Sequence, residues 1–336
     1  MKNQRWHRGL ALYILGAAAQ MASIQIASAQ NVSVQHSLFR QQEAELIITG
    51  GTLKGTLFTP TAIKRPPVVL IIAGSGPTDR DGNSPLLAGK NNSLLQLADS
   101  LATHGIASLR YDKRGVAKSQ IQGLREEQMQ FSDGVDDAIG WIRWLRQQGF
   151  KKIYVAGHSE GSLVGLGAAQ SEKIGGFISI AGVGRPIDMV LREQFAAGAG
   201  PDSLKKLAGR YLDTLLMGQR IAKPHPLLFS VFRPSVQPYM ISWLRYNPKE
   251  LMRTLKYPAL LLQGTRDLQV KEIDAQELSQ ANSAARLLTI ENMNHVLKKI
   301  ESAAPAANIA SYSNPTLPVM TELVTAIVQF VKGKFN

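Results

Sequence analysis

Apolar and polar positions alternate along the chain in two rhythms. Leu53-Lys54-Gly55-Thr56-Leu57-Phe58-Thr59-Pro60 changes sides at every residue and stops at proline, the pattern of a strand with one covered face. Pro67–Ala73 is apolar without interruption, as expected of a central strand covered on both faces. Further short apolar runs follow at 107–111, 152–156, 176–181, 257–264 and 286–290. Between them lie helical patterns at 94–104, 131–148 and 271–281. The helix at 94–104 stops before Gly105, and the one at 131–148 carries Val135, Ile139, Trp141, Ile142 and Leu145 on one side. Residues 30–47 are expected to form a strand and loop leading into the sheet, and 303–315 reads as a loop of small and polar residues. A last amphipathic helix is predicted over 317–332.

Strand and helix in alternation predict an α/β fold with a mostly parallel central sheet flanked by helices and right-handed crossovers. In such sheets, sites form at the carboxyl ends of the strands. The alternation is suspended over 185–256, where helical patterns (189–197, 203–221) give way to Pro224, Pro226, Pro234, Pro238 and Pro248 among aromatic residues. This stretch is expected to be a helical cap inserted over the carboxyl edge, dividing the core into 30–184 and 257–336.

The first residues follow neither rhythm. Lys2, Arg5 and Arg8 precede the apolar run 10–19, and Ala27-Ser28-Ala29 ends the segment with small residues. Residues 1–29 therefore read as a signal peptide cleaved after Ala29, which predicts a periplasmic or secreted protein. Gln20, Ser23 and Gln25 interrupt the run too early for a membrane span, so no stable membrane anchor is expected after cleavage.

Composition narrows the chemistry. The 336 residues hold no cysteine, which excludes disulfides, a thiol nucleophile and thiolate metal sites. The net charge of +13 becomes +10 once Lys2, Arg5 and Arg8 are set aside. The remaining cations are scattered, in pairs at most, without an aromatic-lined basic stripe. That argues against nucleic acid as a partner and for a solvated basic surface.

One stretch supplies a reaction. The run 152–156 leads into Gly157-His158-Ser159-Glu160-Gly161, and a helical pattern follows at once. A serine on so sharp a strand-to-helix turn is held in a strained backbone conformation with its hydroxyl exposed, and Gly157 and Gly161 are the positions where bulk would not fit. The backbone N–H of Glu160 then faces the same spot and is a candidate oxyanion donor. A serine hydroxyl needs a base, and the base needs a carboxylate.

Of the six histidines, His7 lies in the leader, His36 before the sheet, His104 at a helix end and His225 between two prolines of the cap. His158 adjoins the serine and is expected to point away from it. His295 follows the last predicted strand and its turn, and is the candidate base. Asp267, just past the apolar run ending at Gly264, is the candidate carboxylate, with a plain turn-capping role as the competing reading. Glu272, Asp274 and Glu291 are worse placed.

The order Ser159, Asp267, His295 is that of an α/β-hydrolase. The chain resembles that superfamily over nearly all of the sequence after residue 29. Within it, the chain is similar to secreted or periplasmic bacterial serine esterases whose first loop reads Gly-Ser-Gly-Pro-x-Asp-Arg-Asp, here Gly74 to Asp81. Tyr111-Asp112-Lys113-Arg114-Gly115, 264–270 and Asn294-His295 match as well. The resemblance implies Ser159 as nucleophile, Asp267 as acid and His295 as base. It also implies backbone N–H groups of Ser75 and Glu160 as oxyanion donors, with Gly74 or Gly76 as substitutes for Ser75. Two departures stand out: Ala117 where glycine is usual, and Ala73-Gly74 where His-Gly is usual.

Asp79 and Arg80 beside the loop either fix it through ion pairs or meet a polar substrate group. The expected activity is cleavage of small-molecule carboxylic esters through an acyl-enzyme, without metal or organic cofactor. Thioester hydrolysis, acyl transfer or peptide cleavage would use the same triad. A ligand-binding protein that keeps the fold without turnover is the reading from another class.

Overall fold

The computed structural model describes residues 38–302 and 304–334; the predicted signal peptide lies outside these. The chain opens with an antiparallel hairpin, β1 (Phe39–Ile48) and β2 (Gly51–Pro60). Then come β3 (Val68–Ile72), α1 (Ser93–Thr103), β4 (Ala107–Tyr111), α2 (Phe131–Gln147) and β5 (Ile153–His158). They are followed by α3 (Glu160–Ala168) and β6 (Gly176–Ile180). A helical stretch intervenes: α4 (Ile187–Ala197), α5 (Asp202–Leu216), α6 (Phe229–Phe232), α7 (Gln237–Trp243) and α8 (Pro248–Thr254). The chain returns to the sheet with β7 (Ala259–Gly264), α9 (Glu272–Ala281) and β8 (Arg286–Ile290), and ends with α10 (Pro305–Ala310) and α11 (Thr321–Val331).

The described strands form one sheet in the order β1-β2-β4-β3-β5-β6-β7-β8. β2 meets β4 antiparallel, and every pairing from β4 through β8 is parallel. Every residue of β3, β4 and β6 is buried, and these runs are accordingly apolar or small apart from Tyr111 and Arg110 of β4, the latter paired with Asp81 at 2.6 Å. The two faces of β3 feed two separate packings. Val68, Leu70 and Ile72 join Phe131, Trp141 and Leu145 of α2. Val69 and Ile71 join Leu97 and Leu101 of α1 and Leu323 and Ile327 of α11. Side chains of this size contribute about 1.5–3 kcal/mol each when fully buried.

The helices between β6 and β7 are tied down at several points. Asp274 of α9, fully buried, accepts from the backbone N–H groups of Gly184 (3.0 Å) and Arg185 (3.1 Å) and from the Arg185 guanidinium (2.8 Å). Phe131, at the start of α2, stacks on Trp243 with ring centroids 5.8 Å apart, and its N–H donates to Ser242 Oγ at 2.8 Å. Glu126 binds Arg233 and Ser235. Tyr239, Trp243 and Tyr246, aromatic residues of the stretch that breaks the helical pattern, thus seat α7 and the turn after it on Phe131 of α2.

The loop expected over 303–315 is corrected in part. α10 forms there, with Pro305 in its first turn, where a missing N–H costs nothing. Asn308 and Ser311, which suggested a loop, point inward instead. Asn308 Nδ2 donates to Arg266 O at 2.6 Å, and Asn294 Nδ2 reaches both Asn308 Oδ1 (3.0 Å) and Ser311 Oγ (2.7 Å). α10 therefore clamps together the two loops that carry Asp267 and His295.

Candidate active site

Ser159 sits between β5 and α3 at φ 56° and ψ −123°, a conformation that L-residues avoid. Two hydrogen bonds and two close glycine approaches hold it there. Its N–H donates to Ile180 O at 2.9 Å, and its carbonyl accepts from Ser162 N at 3.0 Å. A Cβ added at Gly157 would lie 2.1 Å from Gly161 O, and one at Gly161 would lie 2.4 Å from Ile72 O. The turn can close only because both positions lack side chains.

His295 follows β8 through a turn in which Asn292 takes φ 61°. Its Nδ1 lies 2.8 Å from Asp267 Oδ2, and both side chains are buried. Burial alone would raise the Asp267 carboxyl. The imidazole and the backbone N–H groups of Val270 and Gln269 outweigh it, and the group lies below the ordinary carboxylate range. The ionised carboxylate can only accept, so the Nδ1 proton points at it and Nε2 keeps its lone pair. The turn-capping reading of Asp267 is realised at the same time: Oδ1 accepts from Gln269 N (2.8 Å) and Val270 N (3.0 Å) while Oδ2 serves His295.

Ser159, Glu160 and His295 line one cavity of about 130 Å³ together with Gly74 and Ser75 of the loop after β3. Asp267 stands behind His295. The loop comes very near the serine, since a Cβ on Gly74 would be 3.1 Å from Ser159 Cβ. Glu160 is the first residue of α3, so its N–H has no partner within the helix. Val183, Ile187, Val190, Leu191 and Trp243 make an apolar wall above, and Ser84, Asn91 and Gln194 supply polar edges. A cavity of about 190 Å³ on the far side of Asp267 contains neither Ser159 nor His295, so it is not the reaction chamber. Among the described residues there is no cluster of three or more His, Asp or Glu side chains able to hold a metal ion. No described helix is long and apolar enough to cross a membrane.

The contacts of Asp79 and Arg80 favour the loop-fixing reading of both. Arg80 is buried, does not line the cavity, and is engaged by Asp112 (2.9 Å), Thr56 Oγ1 (2.7 Å) and Glu43 (3.2 Å). Asp79 Oδ1 accepts from Asp81 N (2.9 Å) and Asn83 N (2.8 Å). Removing the Arg80 guanidinium would leave the buried Asp112 without its cation, held only by the backbone N–H groups of residues 80 and 118. Arg80→Ala is expected to cost about 3–5 kcal/mol of stability, measured by urea titration. Its activities on neutral and anionic esters should fall by equal factors; a selective loss on anionic esters would restore the recognition role. Ala117, where glycine is usual, keeps the turn at φ 43° despite its side chain.

Two residues at the site escaped the sequence reading. His158 lines the same cavity as Ser159, and its ring packs against His295 at 4.7 Å between centroids. Its Nε2–H donates to His295 O at 2.7 Å. Burial first, then the adjoining His295, pushes His158 down to about 3. The native state thus holds it neutral, while the unfolded chain takes up a proton below about 6.5. The stability it contributes is complete above about 6.5 and is lost as pH falls from there towards 3, at about 1.4 kcal/mol per pH unit. His158→Gln, which keeps a terminal N–H donor, should flatten this acid limb in melting temperatures recorded between pH 7 and 4. The second is Gln263, fully buried, whose Nε2 lies 3.4 Å from Asp267 Oδ2 and 3.0 Å from Val270 O. A strand-end glutamine among leucines was the available signal.

Known proteins resemble this chain to different extents. A family model described as serine aminopeptidase, S33, matches residues 88–233, a span that holds Ser159 but neither Asp267 nor His295. The esterase EstD of Thermotoga maritima is 26% identical over 272 residues, which are 76% of this chain and 60% of that protein. The chain thus spans about three fifths of the length of the curated relative it matches. Among solved structures, the Pyrococcus furiosus esterase Pf2001 superposes with a TM-score of 0.56 at 16% identity, covering 95% of this chain and all of the other. A Mycobacterium tuberculosis puromycin-hydrolyzing peptidase reaches the same TM-score at 16% identity, over 91% of this chain and 41% of that one. With its parallel sheet, its strand-turn-helix at Ser159 and these neighbours, the chain has the α/β-hydrolase fold.

Proposed function

We propose that the protein is a serine hydrolase that cleaves small-molecule carboxylic esters. The observation that carries this reading is the buried His295–Asp267 pair, whose histidine lines one cavity with a serine held in a strained elbow. Ser159 Oγ attacks the ester carbonyl carbon and gives its proton to His295 Nε2. The negative charge passes to the carbonyl oxygen, which the N–H groups of Ser75 and Glu160 receive. The tetrahedral adduct collapses, and the alkoxide leaves with the proton from His295. Water then attacks the acyl-enzyme, giving a proton to His295, and the acid departs as Ser159 recovers its own. The chemistry needs no metal or organic cofactor.

Peptide cleavage is the second reading, favoured by the description of the matching S33 model. An aminopeptidase needs a free carboxylate for the substrate ammonium. Glu160 is the one carboxylate among the described residues lining the cavity, and the Tyr239 hydroxyl already holds it. Esters are therefore the better substrates. The basic, apolar and small-residue pattern of 1–29 supports export to the periplasm or medium, with Gln30 first in the mature chain.

A fluorophosphonate probe tests the chemistry. Folded protein should be labelled at Ser159 and hydrolyse p-nitrophenyl esters faster than aminoacyl amides. Absence of label on Ser159 would make this a binding protein with a hydrolase fold, and faster amide turnover would make it a peptidase.

A further inference from the structure

Lys113, on the loop after β4, belongs to the Tyr-Asp-Lys-Arg-Gly motif but has no part in the triad. It is half-buried, and its Nζ donates to the carbonyl oxygen of Gly74. That carbonyl belongs to the same peptide unit as the N–H of Ser75. One flat amide thus has a cation at its oxygen end, while its nitrogen end is the backbone donor of a residue that lines the reaction cavity.

The surroundings fit a retained charge. Glu160 is buried, lies within electrostatic reach of Lys113 and is held by the hydroxyl of Tyr239 from α7. Burial lowers Lys113, the Glu160 charge opposes that, and burial raises Glu160 in turn. Glu160 and the Gly74 carbonyl are the groups that favour the ammonium against burial. Glu160 is also the residue whose own N–H begins α3 beside Ser159.

We infer that Lys113 is a positioning residue for the oxyanion site, orienting and polarising the Gly74–Ser75 peptide so that the Ser75 N–H is a stronger donor to the developing oxyanion. A charged donor at an amide oxygen enlarges the amide dipole, and hydrogen bonds in series reinforce one another. The benefit is largest when negative charge forms opposite the N–H, so it acts in the transition state more than on the bound ester. The inference rests on the serine hydrolase reading above.

The test compares wild type with K113M and K113Q, each checked for an unchanged melting temperature. Four quantities are measured: kcat and KM on p-nitrophenyl butyrate, the inhibition constant of butylboronic acid, which forms the tetrahedral adduct, and that of N-butylbutanamide as a ground-state ligand. Losing an oxyanion donor outright costs about 10²–10³ in kcat, so weakening one should lower kcat about tenfold or more with KM within about twofold. Boronate binding should weaken by the same factor, and amide binding should not. A purely structural lysine would move KM and both inhibitors together, and that result would overturn the inference, as would boronate affinity equal to wild type. If K113M does not fold, K113Q, a neutral donor, decides by the same ratio of boronate to amide affinity. Failure of the fluorophosphonate to label wild-type Ser159 would overturn the hydrolase reading and this inference with it. Labelling together with unchanged K113M kinetics would overturn the inference alone.

Discussion

Asp267→Asn is expected to lower kcat about 10⁴-fold while leaving the fold intact. The geometry fixes which way the new amide must turn. Oδ1 of Asp267 accepts from two backbone N–H groups, at 2.8 Å from Gln269 and 3.0 Å from Val270. Only the amide oxygen of asparagine can take that place, so its NH2 must occupy the position of Oδ2, 2.8 Å from His295 Nδ1. There it donates to the imidazole and moves the ring proton to Nε2, the nitrogen that must accept from Ser159. Gln263 Nε2, 3.4 Å from the same position, opposes the NH2 group further. The turn survives, so the melting temperature should change little. The check is kcat on p-nitrophenyl butyrate beside a thermal melt. A kcat within tenfold of wild type would remove Asp267 from the mechanism.

The elbow itself should be the least tolerant place in the chain. Gly161→Ala would set a Cβ 2.4 Å from Ile72 O and 2.7 Å from Ala73 O, both backbone atoms at the end of β3 just before the Gly74 loop. Neither can rotate away, and shifting them moves the sheet or the loop. Overpacking of this kind costs about 3 kcal/mol or more. Labelling of Ser159 by fluorophosphonate should be lost with it. Gly134 in α2 is the control, because a Cβ there would touch Val164 at an ordinary 3.6 Å. Gly134→Ala should gain up to about 1 kcal/mol from helix propensity and leave labelling unchanged. Denaturant midpoints of the two variants give the comparison. A Gly161→Ala protein as stable as wild type would mean that the elbow is not built as described.

Most of the sheet could be read from the chain because a strand covered on both faces leaves little choice of residue. β3 and β7 are apolar runs ended by Gly74 and Gly264, and those ends also mark where the candidate loops begin. α10 was read as a loop because its inward side is polar: Asn308 and Ser311 look like loop residues until the loops they clamp are known. Arg80 shows the same limit from the other side. A charged triplet beside a reaction loop suits either substrate or structure, and only the pairing of Arg80 with Asp112, 32 positions away, favours structure.

By itself the sequence determined the order of the elements, the serine between strand and helix, and an aspartate and a histidine at later strand ends. These depend on local properties: periodicity, the bulk that Gly157 and Gly161 lack, and the places where apolar runs stop. Only the tertiary structure decided what those residues do to one another. Asp267 serves a turn and His295 at once, His158 supports the backbone of His295, and Lys113 reaches the peptide of Ser75 through Gly74. Each of these contacts joins the ends of different strands, neighbouring ones or β5 and β8, or uses the two oxygens of one carboxylate. Hydrogen-bond direction and burial arise only when the sheet brings those ends together, and no pattern along one strand encodes them.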